Sequence, residues 1–280
     1  MYDIWNPWRG CKPCSEGCEQ CYMFDLEKKR GRKGAFRVIT PNFNYPVKKN
    51  DFGEYRVIPG SKLQVCMISD FLFQKADSYR EEIWRMIAAR SDVEFFIPTK
   101  MPERFLETTP KSMLRLQNFS LNVSCENQAC ADARIPILRD IPIAHKGLIL
   151  APLLEEIHIE SYLREGWIEN VQTEGERGST ARECRYEWFE SLSKQCAETN
   201  TKFTVIGTGA NFYNKEGQRD TQYGKVDRKN HALDLGLNVA GVEPRYEGVP
   251  IIDRKWGPDC EHCGMKPICN GLNPVSGRCD

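Results

Sequence analysis

Four cysteines stand within eleven residues in the stretch GCKPCSEGCEQCY: Cys11, Cys14, Cys18 and Cys21. Thiols packed this densely form disulfides, close a zinc site or ligate an iron–sulfur cluster. The chain of 280 residues carries 13 cysteines, an odd total that suits full disulfide pairing poorly. Its first residues are aromatic and polar, without the basic start and apolar stretch of a secretory leader, so the expectation is a cytoplasmic protein whose clustered cysteines bind metal. Cys14, Cys18 and Cys21 are spaced C-x3-C-x2-C. Three thiolates on a [4Fe–4S] cluster leave one iron open to a further ligand, whereas all four would close a zinc site, and spacing alone permits both. A second set, Cys260, Cys263, Cys269 and Cys279, lies in a turn-rich tail. That tail is too short to build its own core and is expected to need a second [4Fe–4S] cluster or a zinc ion to order it.

The other potential ligands are dispersed. Cys66, Cys125, Cys130, Cys184 and Cys196 fall in apolar or amphipathic runs and read as small buried hydrophobes. His145, His158, His231 and His262 show no metal spacing with one another. Lysine plus arginine and aspartate plus glutamate both number 39, so the formal net charge is zero. A grip on a nucleic-acid backbone normally needs a basic surplus, which disfavours direct nucleic-acid binding and favours a small-molecule substrate. The basic stretch LEKKRGRKGAFR (26–37) reads as a solvated face or loop. No apolar run reaches the ~18 residues of a membrane span.

Positioning such ligands requires a scaffold, and the hydrophobic pattern predicts one. Short apolar, β-branched runs at 62–69, 93–99, 119–124, 147–152, 168–173 and 202–207 read as strands. Helical spacing appears at 78–91, 127–140 and 185–200. This alternation predicts an α/β fold with parallel strands and right-handed crossovers. No G-x-G-x-x-G or P-loop appears, and polar residues gather just after the strands, so a partial (β/α)6-type TIM barrel is favoured over a doubly wound sheet. Those strand-end residues are Ser69, Asp70, Lys100, Glu126, Asn127, Glu155 and Glu174 to Glu176. Each could serve a site or simply cap a strand end. The polar stretch 208–230 reads as a long loop or lid. Two units follow: a barrel over 1–253 with its cysteine loop at 11–21, and a cysteine-rich extension over 254–280.

The C-x3-C-x2-C spacing beside a barrel pattern resembles the radical S-adenosylmethionine (SAM) superfamily. More specifically, WNPWRGC…EGCEQCY, MISDFLF (67–73), PTKMPERF (98–105), LNVSCENQACADARIPIL (121–138), APLLEEI (151–157) and VQTEGERGSTAR…EWFESLSKQC (171–196) resemble, in order, the motifs of the phage Gp37/Gp68-like family. The likeness covers roughly residues 1–206. That family places its first cysteine seven residues before the second, which here is Cys11; the superfamily spacing would use Cys14 instead. Cys18 and Cys21 are ligands under either alignment. The cysteine tail is a departure from the family in general, and it makes the chain most similar to a queuine lyase subgroup. The resemblance implies a [4Fe–4S] cluster and SAM as cofactors, a flavodoxin or ferredoxin as electron donor, and a radical lyase that cleaves queuine to preQ1, a deazaguanine base. It further implies SAM contacts from Ser69, Glu126, Asn127 and Glu176, chemistry at Asp70 and Glu126, and substrate contacts from Asp70, Glu155 or Glu243, since a carboxylate accepts two adjacent N–H donors at once. Another nucleobase, a peptide substrate, or a non-catalytic zinc-stabilised binding module are the competing expectations.

Overall fold

The apolar runs assemble into one sheet of seven strands in which every neighbouring pair is parallel. The computed structural model describes residues 3–29, 31, 37, 38, 40–220, 228–242 and 246–249. In chain order the strands are β1 (Asp3–Trp5), β2 (Lys62–Val65), β3 (Glu94–Thr99), β4 (Phe119–Ser124), β5 (His145–Leu150), β6 (Asn170–Glu174) and β7 (Lys202–Gly207). Each strand lies beside its predecessor, so the order never reverses across the sheet. Right-handed crossovers then carry every connection over the same face, and the other face curls inward. The result is an open half-barrel, since a doubly wound sheet needs a reversal of strand order.

The expected partial barrel is therefore present, with seven strands where the sequence pattern suggested six. The added strand is β1, three residues at the sheet edge whose register sets Trp5 against Val65. A segment that short displays no periodicity. Its tryptophan is nonetheless fully buried, as is Trp8, so the chain enters the core before it reaches the cysteines.

Four longer helices accompany the sheet: α1 (Tyr22–Lys29), α2 (Asp77–Ala89), α3 (Gln128–Asp140) and α4 (Tyr186–Glu198), followed by α5 (Arg228–Asp234). In α2, Ile83, Trp84 and Ile87 form the buried stripe. Trp84 meets Phe71 and Phe119 edge to face, with ring centroids 5.4 and 5.0 Å away. In α3 the stripe is Ala131, Ile135 and Leu138, and Asn127 caps the helix by accepting from the Cys130 N–H at 2.9 Å. Every residue of β4 is buried: Phe119, Leu121 and Val123 join the hydrophobic core, while Ser120, Asn122 and Ser124 alternate with them toward the concave face.

The stretch expected to be a long loop contains regular structure among its described residues. Phe212–Tyr213 pairs in parallel with Cys184–Arg185, and α5 occupies its end. Glu243, the proposed unit at 254–280 and its Cys260, Cys263, Cys269 and Cys279 lie outside the described residues. Among the described residues no helix is long and apolar enough to cross a membrane.

Candidate functional site

The segment leaving β1 carries the cysteine loop and then α1, so the loop stands at the C-terminal ends of the parallel strands. This is the end at which barrels gather their chemistry. Beneath the loop lies a cavity of about 320 Å³. Its roof includes Cys11, Cys14, Cys18 and Cys21, and its floor is drawn from strands β2 to β7. The volume is at the lower end of the range for small-molecule sites.

The turn Glu16–Cys18 is held down by two strand ends. Glu126, fully buried just past β4, accepts from the Gly17 N–H at 3.1 Å and from Lys100 Nζ at 3.3 Å. Its other oxygen accepts from Arg134 at 2.9 Å. Burial alone would raise the pKa of this carboxyl, but Lys100, the Ser15 hydroxyl and Arg134 outweigh it and hold the group at about 2. From the far side, Arg182 bridges Glu176 at 2.6 Å and Glu16 at 3.2 Å. Asn127 donates to Glu16 at 3.0 Å. Gly17 fits closely here: a Cβ would stand 2.8 Å from Lys100 Nζ and 3.0 Å from Glu126 Oε1, so a larger residue must move the lysine.

The four thiols are free and differ in character. The Cys14 thiol donates to Cys18, which favours the Cys18 thiolate against the cost of burial, and Lys100, 3.8 Å from Cys18 Sγ, adds to that preference. Cys14 is correspondingly pushed up. Burial and the charge of Asp70 push Cys11 up to about 12. Cys21 is raised, chiefly by burial. In donor chemistry the set suits a [4Fe–4S] cluster or zinc, and all four sulfurs belong to one wall. Their side chains are not gathered about a single point: among the described residues no three His, Cys, Asp or Glu side chains form a metal-holding group.

The other candidates separate into two groups. Asp70 lines the cavity with its carboxylate committed to structure: it accepts from the Leu72 N–H, the Thr99 hydroxyl and the Lys100 N–H, each at 2.8 Å. Burial raises its pKa above the ordinary carboxylate value, and these three donors hold the rise back. Ser69 also lines the cavity and donates to the Gly10 carbonyl, tying β2 to the cysteine loop. Glu176 lines the cavity while bound to Arg182. Glu155 is elsewhere: it caps the start of α3 by accepting from the Gln128 N–H at 2.7 Å and takes no part in the cavity wall. Lys100 and Arg104 are both paired, with Glu126 and Asp77. Trp5 and Trp8 are core residues; the Trp8 indole donates to the Asp70 carbonyl at 3.2 Å and so supports that strand end.

Sequence reasoning passed over two cavity residues, Gln64 of β2 and Gln172 of β6. The signal available was a neutral polar residue flanked by buried apolar ones, as Gln64 stands between Leu63 and Val65 in KLQV.

A family model described as protein of unknown function (DUF5131) matches residues 2–235. No curated protein and no solved structure matches the chain.

Proposed function

The chain belongs to the DUF5131 family, and from that premise we propose that it is a radical SAM lyase that cleaves the C–N bond of queuine to release preQ1. The observation that carries this reading is the assembly of Cys11, Cys14, Cys18 and Cys21 over one cavity at the strand ends of a parallel half-barrel. Cys18 and Cys21, with Cys11 or Cys14 as third, would hold the cluster. When bound, a [4Fe–4S] cluster with SAM supplies a 5′-deoxyadenosyl radical for hydrogen abstraction. The remaining tasks fall to the chain. Lys100 sets a positive charge beside Cys18 and, with Glu126, fixes the loop through the Gly17 backbone. Arg182 and Glu176 clamp the same turn from the opposite strand end. The cavity shields a reactive intermediate from water. Electrons would come from a flavodoxin or ferredoxin, and the tail cysteines would hold a second cluster or zinc.

The test is anaerobic. Full-length protein reconstituted with iron and sulfide should be brown, and with SAM and a reductant should convert queuine to preQ1. Colourless protein that takes up zinc instead, or intact queuine in the presence of a loaded cluster, would sink the proposal. Single Cys11→Ala and Cys14→Ala variants should differ sharply in bound iron, and the one that loses it names the third ligand.

A further inference from the structure

The cavity floor is made of residues that the chemistry above does not use. Inward-facing rows can be followed across the sheet by register. Gln64 aligns with Phe96 and Ser120; Pro98 aligns with Asn122, Gly147 and Asn170; Ser124 aligns with Ile149, Gln172 and Thr204. The Gln64 and Gln172 side chains reach the cavity from opposite sides of the half-barrel, and neither amide is hydrogen-bonded to any described residue. In the row between theirs, Asn122 Oδ1 and Asn170 Oδ1 are buried without a hydrogen-bond partner among the described residues. These two amides converge over Gly147, where any Cβ would collide with both. Buried amides are almost always satisfied in folded proteins, so these two acceptors call for ordered water, whereas the unbonded glutamine amides line the cavity and are within a ligand's reach.

The charge distribution narrows what that ligand is. The charged side chains that line the cavity sit at the strand ends and are already engaged: Lys100 with Glu126, Arg177 with Glu174, Glu176 with Arg182, and Asp70 with its three donors. Between them the floor is uncharged, with Phe96, Pro98, Ile149 and Ile206 as apolar walls. A phosphate or carboxylate ligand would find no cation there. A flat ring would find apolar surface on its faces and amides at its edge.

We infer that the floor is a heterocycle-reading site in which Gln64 and Gln172 pair edgewise with a neutral, planar ring that presents a hydrogen-bond donor beside an acceptor. A side-chain amide carries a donor and an acceptor in one plane, which is the complement of a lactam edge such as that of a deazaguanine. The inference deepens the lyase reading by assigning base recognition to neutral amides, where a carboxylate was expected, and it rests on that reading only for the choice of probe.

The experiment is calorimetric binding to the reconstituted full-length protein, comparing 7-deazaguanine with 7-deazapurine, the same ring without the lactam and amino groups. Wild type should prefer 7-deazaguanine by roughly tenfold or more. Gln64→Leu and Gln172→Leu should each bring that preference toward unity while leaving 7-deazapurine binding nearly unchanged. The preference is a ratio within one sample, so it does not depend on how much of a variant folds. Equal binding of the two rings by wild type, or an undiminished preference in both variants, overturns the inference. A wild type that discriminates the rings yet leaves queuine intact would defeat the lyase reading and leave this site standing; turnover of queuine without discrimination would do the reverse.

Discussion

Gly17 and Glu126 show how closely the cysteine loop is fitted to the sheet. The backbone of one residue and the carboxylate of the other meet at 3.1 Å, with Lys100 against both. Gly17→Ala should therefore displace Lys100 or lift the turn, and iron bound per chain should fall severalfold, whereas Ser161→Ala, at an exposed position of the short helix Glu160–Leu163, should retain it. Glu126→Gln removes the charge that faces Lys100 and Arg134 from a fully buried position. Two cations would be left without their partner, and chemical denaturation should register a loss of roughly 3 kcal/mol. At this scale Lys100, Glu126 and Glu176 were legible beforehand, because a polar residue just past an apolar strand reads as a barrel-mouth residue. Glu155 satisfied the same criterion and turned out to cap α3, since the direction a loop takes after its strand leaves no mark on the pattern. Gln64 and Gln172 were missed for the opposite reason: attention to charge at strand ends overlooks neutral residues inside strands.

Helix α2 and the turn that follows it bind the first half of the sheet together. Trp84 is fully buried between Phe71, Phe105 and Phe119, so Trp84→Ala should cost about 3–5 kcal/mol in denaturant unfolding. Just beyond α2, the Arg90 guanidinium is buried over the Tyr55 ring, donates to the Pro46 and Val57 carbonyls, and pairs with both oxygens of Asp92 at 2.8 and 2.9 Å. Arg90 thus ties the connection between β1 and β2 to the start of β3. Its hydrogen bonds hold Asp92 below the usual carboxylate range. The stabilisation is complete above the unfolded value near pH ~3.8 and is lost as the pH falls through the lower folded value. Asp92→Asn should accordingly cost roughly 2 kcal/mol at pH 7, and the gap between variant and wild type should close as urea titrations are moved toward pH ~3. Strands β2 to β7 and helices α2 to α4 were readable from periodicity within a few residues. Strand β1 was not: three residues cannot express a period, and its place follows only from the partner it finds in β2.

For the molecule as a whole, the sequential order of parallel strands is what distinguishes the half-barrel from other α/β sheets. The alternation of strands and helices predicted the class, while the absence of a reversal in strand order is a property of pairing that composition does not encode. The uncharged floor has a similar origin. The total charge balances at zero, and the charged side chains that line the cavity stand at its rim, an arrangement that exists only once the strands are in register.

One consequence concerns thermodynamic linkage. Because every strand from β2 to β7 contributes a residue to the cavity, a ligand seated there touches chain positions from Gln64 to Ile206 at once. No local opening of the sheet leaves such a site intact, so binding energy is felt as protection of the sheet as a unit. A ligand present at a hundred times its Kd should add about 2.7 kcal/mol to unfolding. Amide hydrogen exchange should then slow in all six strands together, including those in which no side chain meets the ring by hydrogen bonding.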